Sequence, residues 1–298
     1  MATHVEAETA SQPDCWRRAA ELAAAAGSGA GALPEAGERV AVIGCGTSWF
    51  MGQAYAALRE SGGQGVTDAF AASEFPGVRS YDRVVALTRS GTTTEVLDVL
   101  DRVRGRVRTS AITATPDTPV MAAADDVTVL DFADERSVVQ TRFATTALTL
   151  LRAHLGLHTE AVEADGRRAL EEPLPEGLTD RTQFTFLGTG WTVGLANEAG
   201  LKLREAALAW AEAYPAMEYR HGPISIAAPS TVTWMLGAAP VGLAEQVRGT
   251  GAHWIEGRLD PLAELVRVHR LAVALAAPKG LDPDRPRNLT RSVVLADA

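Results

Sequence analysis

Two short segments of this chain join glycine to a dense run of hydroxyl groups: Cys45-Gly46-Thr47-Ser48 and Thr88-Arg89-Ser90-Gly91-Thr92-Thr93. Backbone N–H groups at a helix start, together with side-chain hydroxyls, form a donor set that can hold a phosphate. Serine and threonine are also favoured at such turns simply as helix caps. Two such turns on one sheet favour a shared anion site. A different chemistry resides in Glu198, Lys202 and Glu205. Their i, i+4, i+7 spacing puts all three on one helix face, where Lys202 can pair with either carboxylate. That face is either a solvated salt-bridge ladder or a proton-transfer group. In Glu218-Tyr219-Arg220-His221-Gly222-Pro223, His221 is either a proton carrier or part of a surface loop.

Other residue types narrow the field. Lysine occurs only at Lys202 and Lys279, and every other cation is arginine, so imine chemistry has two candidates. The run Gly44-Cys45-Gly46-Thr47-Ser48-Trp49 has Trp where a dinucleotide fingerprint needs its third glycine. No Gly-Lys-Ser/Thr loop is present. No His/Cys/Asp cluster has metal-ligand spacing, and neither a metal nor an organic cofactor is expected. A net charge of −9 without a dense Lys/Arg block argues against a nucleic-acid partner. No apolar run reaches the ~18 to 20 residues of a membrane span. The start of the chain lacks the features of a secretory signal, and Cys15 and Cys45 make no disulfide framework, so a reducing, cytoplasmic setting is expected.

The candidate residues must be positioned by strands and helices. Arg39–Trp49 and Gln183–Thr192 share one design: a short apolar β-rich run, Gly-x-Gly, then a helical pattern, about half the chain apart. This predicts an internal duplication. Val84–Leu87, Arg108–Thr113 and Val127–Leu130 read as further strands, with helices at Cys15–Ala26, from Glu95, and at Thr141–Leu155. A glycine/alanine linker follows Ala26. The second half reads as a long helix from Leu195 to Ala213, a strand at Thr231–Leu236 and a helix at Leu262–Leu275. Alternating strands and helices predict an α/β fold with parallel sheets in three-layer domains. The expected boundaries are a helix and linker at 1–35, a first domain at 36–160, a linker at 161–180, a second domain at 181–278 and a tail at 279–298. The second-copy turn, Gly188-Thr189-Gly190-Trp191, lacks the Thr-Ser pair, so only the first copy is expected to bind phosphate.

The runs Glu198-Ala-Gly-Leu-Lys202-Leu-Arg-Glu205, Ala211-Glu-Ala-Tyr214 and Glu218-Tyr-Arg-His221-Gly-Pro223, with Cys45–Ser48, Arg89-Ser-Gly91, Gln12-Pro13 and Pro286-Arg-Asn-Leu289, give the chain its family likeness. It resembles, over nearly its whole length, the double-SIS sugar-phosphate isomerase and deaminase family, which includes the isomerase half of glucosamine-6-phosphate synthase. The resemblance implies two tandem flavodoxin-like SIS domains. It implies that Cys45, Gly46, Thr47, Ser48, Thr88, Arg89, Ser90, Gly91, Thr92 and Thr93 bind the sugar and its phosphate, with help near Val138 and Gln140. Glu205 would be the base moving a proton between C1 and C2, with Glu198 and Lys202 positioning it. His221, contributed by the neighbouring subunit of a homodimer, would assist ring opening.

Two departures qualify what the resemblance implies. No N-terminal cysteine nucleophile or glutaminase segment accompanies the opening Met1-Ala2, so glutamine-dependent amination by this chain alone is not expected. Arg291 stands where the synthase has its imine-forming lysine, and a guanidinium stays protonated and forms no imine. An isomerase working through an enediol is therefore expected, with a deaminase or deglycase as variants; Arg89, where the synthase has Gln, points towards those branches. The alternative is a non-catalytic sugar-phosphate sensor.

Overall fold

The structure is a computed structural model and describes residues 3–26, 32–77 and 79–295. The glycine/alanine linker expected after Ala26 lies outside the described residues. In chain order the α-helices are α1 (His4–Ala10), α2 (Gln12–Ala26), α3 (Thr47–Ser61), α4 (Thr94–Val103), α5 (Val120–Ala123), α6 (Arg142–His154), α7 (Glu160–Glu171), α8 (Thr192–Ala207), α9 (Leu243–Gly249) and α10 (Pro261–Ala276). The strands are β1 (Val40–Gly44), β2 (Thr67–Ala71), β3 (Arg83–Leu87), β4 (Arg108–Thr113), β5 (Asp126–Val129), β6 (Gln183–Gly188), β7 (Trp210–Pro215), β8 (Thr231–Leu236) and β9 (His253–Glu256).

These elements fall into two compact units whose sequences interleave. One takes residues 14–136, 140–159 and the chain from 290 on; the other takes the start through Pro13, then 137–139 and 160–289. The sequence reading put its boundaries elsewhere. In particular, α7 spans the whole first half of the segment expected to be linker.

In the first unit a five-stranded sheet runs in the order β2-β1-β3-β4-β5, every pair parallel. β1 and β3 are buried along their whole length, as a sheet covered on both faces requires. Val96, Val99, Leu100 and Val103 give α4 an apolar stripe, which packs with Ile43, Val84, Ala86 and Ala111 in one core. In the second unit a four-stranded parallel sheet has the order β7-β6-β8-β9. Taken within each sheet, the first four strands are ordered alike.

The equivalent turns explain two of the glycines. A Cβ on Gly44 would come within 2.8 Å of the Ser48 carbonyl carbon and Trp49 nitrogen, and one on Gly188 within 2.3 Å of the Thr192 carbonyl oxygen. In both units the helix after the central strand starts too close for any side chain.

The helix expected from Leu195 to Ala213 is shorter. It stops at Ala207, where Leu208 adopts a left-handed conformation and its N–H caps onto Leu203 and Arg204 carbonyls. Trp210–Pro215 then pairs in parallel with β6. Its alternating Trp-Ala-Glu-Ala-Tyr-Pro sequence is compatible with an edge strand, and sheet pairing overrides the helical tendency of the alanines. The outer strands β2 and β9 were not anticipated either, since each is short and only partly buried.

Candidate functional site

The two hydroxyl turns follow neighbouring strands β1 and β3, at their carboxyl ends. In the first turn Gly46 takes a positive φ and Ser48 N–H bonds to the Cys45 carbonyl at 3.1 Å. Thr47 and Ser48 are buried. Burial, with the Glu95 carboxylate adding to it, pushes the Cys45 thiol up to about 11. Cys45 is therefore a neutral thiol at neutral pH, not a nucleophilic thiolate.

In the second turn Thr88 Oγ1 accepts from Gly91 N–H at 3.2 Å, and Ser90 Oγ accepts from Thr92 N–H at 3.2 Å. Gly91 has φ +65°, and a Cβ there would lie 2.1 Å from Thr118 Oγ1, so the tight turn needs glycine. Thr93 is the N-cap of α4 but makes no side-chain cap bond. Thr92 and Thr93 are thus grouped at a helix N-terminus without serving its conventional cap.

Arg89 is buried here, its Nη1 3.7 Å from Glu135 Oε2, with both side chains essentially inaccessible. Glu135 Oε1 accepts from Thr141 N–H at 2.6 Å, Thr141 Oγ1 at 2.8 Å and Arg142 N–H at 2.9 Å, closing the start of α6. Sequence reasoning missed Glu135. An acidic residue six positions before a helix N-cap carries no recognised cap spacing, so only the folded loop reveals its role.

Arg291 belongs to the same unit. Arg89 Nη2 donates to its carbonyl at 2.9 Å. Its own guanidinium bonds Thr115 Oγ1 at 3.3 Å, the Glu135 carbonyl and the Asp134 carboxylate. The side chain thus acts as a clasp on the loop before α6. Gln140 Oε1 is buried without a hydrogen-bond partner, whereas Val138 N–H, in the other unit, is committed to the Asp284 carbonyl at 3.0 Å. Val138 therefore has no spare amide to offer a ligand.

In the second unit, α8 carries the charged triplet, and it is not a solvated face. The Lys202 ammonium lies 2.5 Å from Glu205 Oε2 and 3.4 Å from Glu198 Oε1. The Lys202 and Glu198 side chains are each 1% exposed and Glu205 is 18% exposed. A buried cation thus presents one carboxylate to solvent. Gln12 and His269 join through a 3.0 Å contact between Gln12 Nε2 and His269 Nδ1. His221 is exposed at the end of a 3₁₀ turn, Glu218–His221, that buries Tyr219 and is flanked by exposed Met217 and Ile226. Arg220 ties that turn to Gln246 Oε1 at 2.7 Å and the Val241 carbonyl at 2.6 Å.

Burial first, and then the Lys202 charge, push His269 down to about 3. An unfolded imidazole titrates near about 6.5. Between these values the unfolded chain binds a proton that the native chain lacks, so stability is complete above the window and is lost as pH falls through it. Between about pH 6.5 and 4.5 the wild type should lose about 2 kcal/mol more than His269→Gln, as urea unfolding at a series of pH values would show; parallel profiles would contradict it.

Among the described residues no group of three His, Cys, Asp or Glu could hold a metal ion, and no helix is long and apolar enough to cross a membrane.

Comparison with known proteins finds one segment of the chain similar to a known domain family. Residues 33–155 match the SIS domain. That SIS segment contains both hydroxyl turns, Arg89 and Glu135. The chain is also 29% identical, over 87% of its length, to glutamine–fructose-6-phosphate aminotransferase (isomerizing) of Gloeobacter violaceus, of which it covers 52%. It spans about half the length of the curated relatives it matches. Among solved structures, a glucosamine-6-phosphate deaminase from Thermotoga maritima matches with a TM-score of 0.84 at 23% identity, covering 98% of this chain and 100% of that one. Tagatose-6-phosphate ketose/aldose isomerase from Escherichia coli matches with a TM-score of 0.82 at 18% identity, covering 99% and 97%. These structural likenesses establish the shared fold, an α/β fold with parallel sheets around the SIS segment.

Proposed function

We propose that the chain is a sugar-phosphate isomerase that moves a proton between C1 and C2 of a ketose or aldose 6-phosphate, or of the corresponding amino sugar. The observation that carries this reading is the α8 triplet: a buried lysine holding a carboxylate that alone of the three reaches solvent. A proton-transfer base needs access on one side and a fixed orientation on the other. Relatives named for fructose 6-phosphate, glucosamine 6-phosphate and tagatose 6-phosphate supply the substrate class.

In this reading the Cys45–Ser48 and Thr88–Thr93 turns of the SIS segment take the phosphate, aided by the start of α4. Glu205 removes the proton from one carbon and returns it to its neighbour, while the hydroxyl proton crosses to the other oxygen of the enediolate. Lys202 and Glu198 hold Glu205 in place. No imine is required, in keeping with Arg291 being a guanidinium already engaged by Asp134. His221 assists ring opening from a second copy of the chain, and the exposed Met217 and Ile226 beside it suit burial in such a homodimer.

The phosphate assignment is tested by calorimetry with fructose 6-phosphate, glucosamine 6-phosphate and galactosamine 6-phosphate against unphosphorylated fructose. The phosphorylated sugars should bind, fructose should not, and Ser48→Ala should weaken binding about tenfold, the scale of one hydrogen bond to a charged group. Equal affinity for fructose and its phosphate would contradict the assignment.

A further inference from the structure

The chain's own tail lies in the second hydroxyl turn. Ser292 Oγ is 3.1 Å from Ser90 Oγ, 3.0 Å from Thr92 Oγ1 and 3.2 Å from Thr93 Oγ1. Three hydroxyls therefore converge on one oxygen. The next residue continues the pattern: the Val293 carbonyl accepts from Thr94 N–H at 3.1 Å. Thr94 opens α4, whose N-cap Thr93 makes no side-chain cap bond, so a tail carbonyl satisfies one of the orphan donors of that helix. Leu295 N–H donates in turn to Thr94 Oγ1 at 2.9 Å.

We propose that residues 292–295 are a built-in competitor for the phosphate cradle, with the Ser292 hydroxyl and the Val293 carbonyl standing where two oxygens of a phosphate monoester would stand. This rests on reading the Thr88–Thr93 turn as a phosphate site. The donors facing the tail, hydroxyls and a helix N-terminal amide, are the kind a phosphate uses. A phosphoryl oxygen carries charge and accepts stronger bonds from them than a hydroxyl or an amide carbonyl does.

The attachment of the tail suits a displaceable segment. Val293, Val294 and Leu295 are 50%, 66% and 59% exposed, so apolar burial contributes little and the hydrogen bonds carry the contact. One residue earlier the situation reverses. Arg291 is clasped by Asp134, Thr115 and the Glu135 carbonyl, and Arg89 holds its backbone. The clasp marks a fixed point from which 292–295 can swing without release of the whole tail.

The test uses the full chain and its Ser292→Ala variant, with inorganic phosphate and fructose 6-phosphate as probes. Calorimetry should show both anions binding several-fold more tightly to Ser292→Ala. Hydrogen exchange on the wild type should show the Leu295 amide losing protection as phosphate saturates. Phosphate binding with equal affinity to both proteins, or with Leu295 becoming more protected, would mean that tail and anion bind together; that overturns the competitor and leaves the cradle standing. Binding of neither probe to either protein would overturn the cradle and the competitor with it.

Discussion

Lys202→Met should destabilise the protein by about 3–5 kcal/mol, the loss expected when one partner of a buried ion cluster is removed. Lys202 stands between Glu198 and Glu205 on α8, with its ammonium 3.4 Å from one and 2.5 Å from the other. Methionine fills nearly the same volume, so packing changes little. What changes is that the Glu198 carboxylate, as deeply buried as the lysine, loses its cation. Glu198→Gln combined with Lys202→Met should therefore recover much of the loss, a non-additivity that a double-mutant cycle reads directly. For a protein of this size the single variant should melt about 5–8 °C lower. A Lys202→Met protein as stable as wild type would show that the triplet is not an electrostatic unit.

Glu205→Gln should lower the isomerisation rate about 10²- to 10⁴-fold, the usual contribution of a positioned general base. The amide keeps the shape of the side chain and can still reach Lys202 through its carbonyl oxygen, but it cannot take a proton from carbon. Because Glu205 keeps access to solvent while Glu198 does not, the stability change should be much smaller than for Lys202→Met. Affinity for the sugar phosphate should be nearly preserved, since the phosphate is assigned to the turns of the SIS segment. A fall in turnover with affinity intact separates a base from a binding residue.

Much of this arrangement was legible in the sequence because it depends on local pattern. Gly44 and Gly188 mark the two strand-to-helix turns, and the close approach of the following helix explains why both are glycine. The hydroxyl runs at Cys45–Ser48 and Thr88–Thr93 fall at the strand-to-helix turns after β1 and β3. The spacing of Glu198, Lys202 and Glu205 placed them on one face, but spacing alone is the same for a solvated ladder and a buried cluster. Only the packing of α8 decides that, and it decides for burial. Glu135 was invisible for a related reason: its partners Arg89 and Thr141 are brought to it by a loop with no periodic signature. The first four residues of β7, Trp210–Ala213, read as helix because alanine-rich edge strands and helix ends look alike in sequence, and the break at Leu208 is made by backbone conformation in a residue that rarely adopts it. The sequence marks a tail at 279–298, yet nothing in Ser292-Val293 announces that it meets the start of α4.

The central claim is that Glu205 moves a proton on a sugar phosphate, and the most direct measurement is NMR in D₂O. Wild type and Glu205→Gln are each incubated with fructose 6-phosphate, glucosamine 6-phosphate, galactosamine 6-phosphate and a phosphorylated fructosamine. Deuterium should enter C1 or C2 of at least one of them with wild type, and the variant should slow that entry by the factor given above. Saturable binding of these sugars by wild type with no deuterium at either carbon would contradict the claim and mark the chain as a sugar-phosphate sensor.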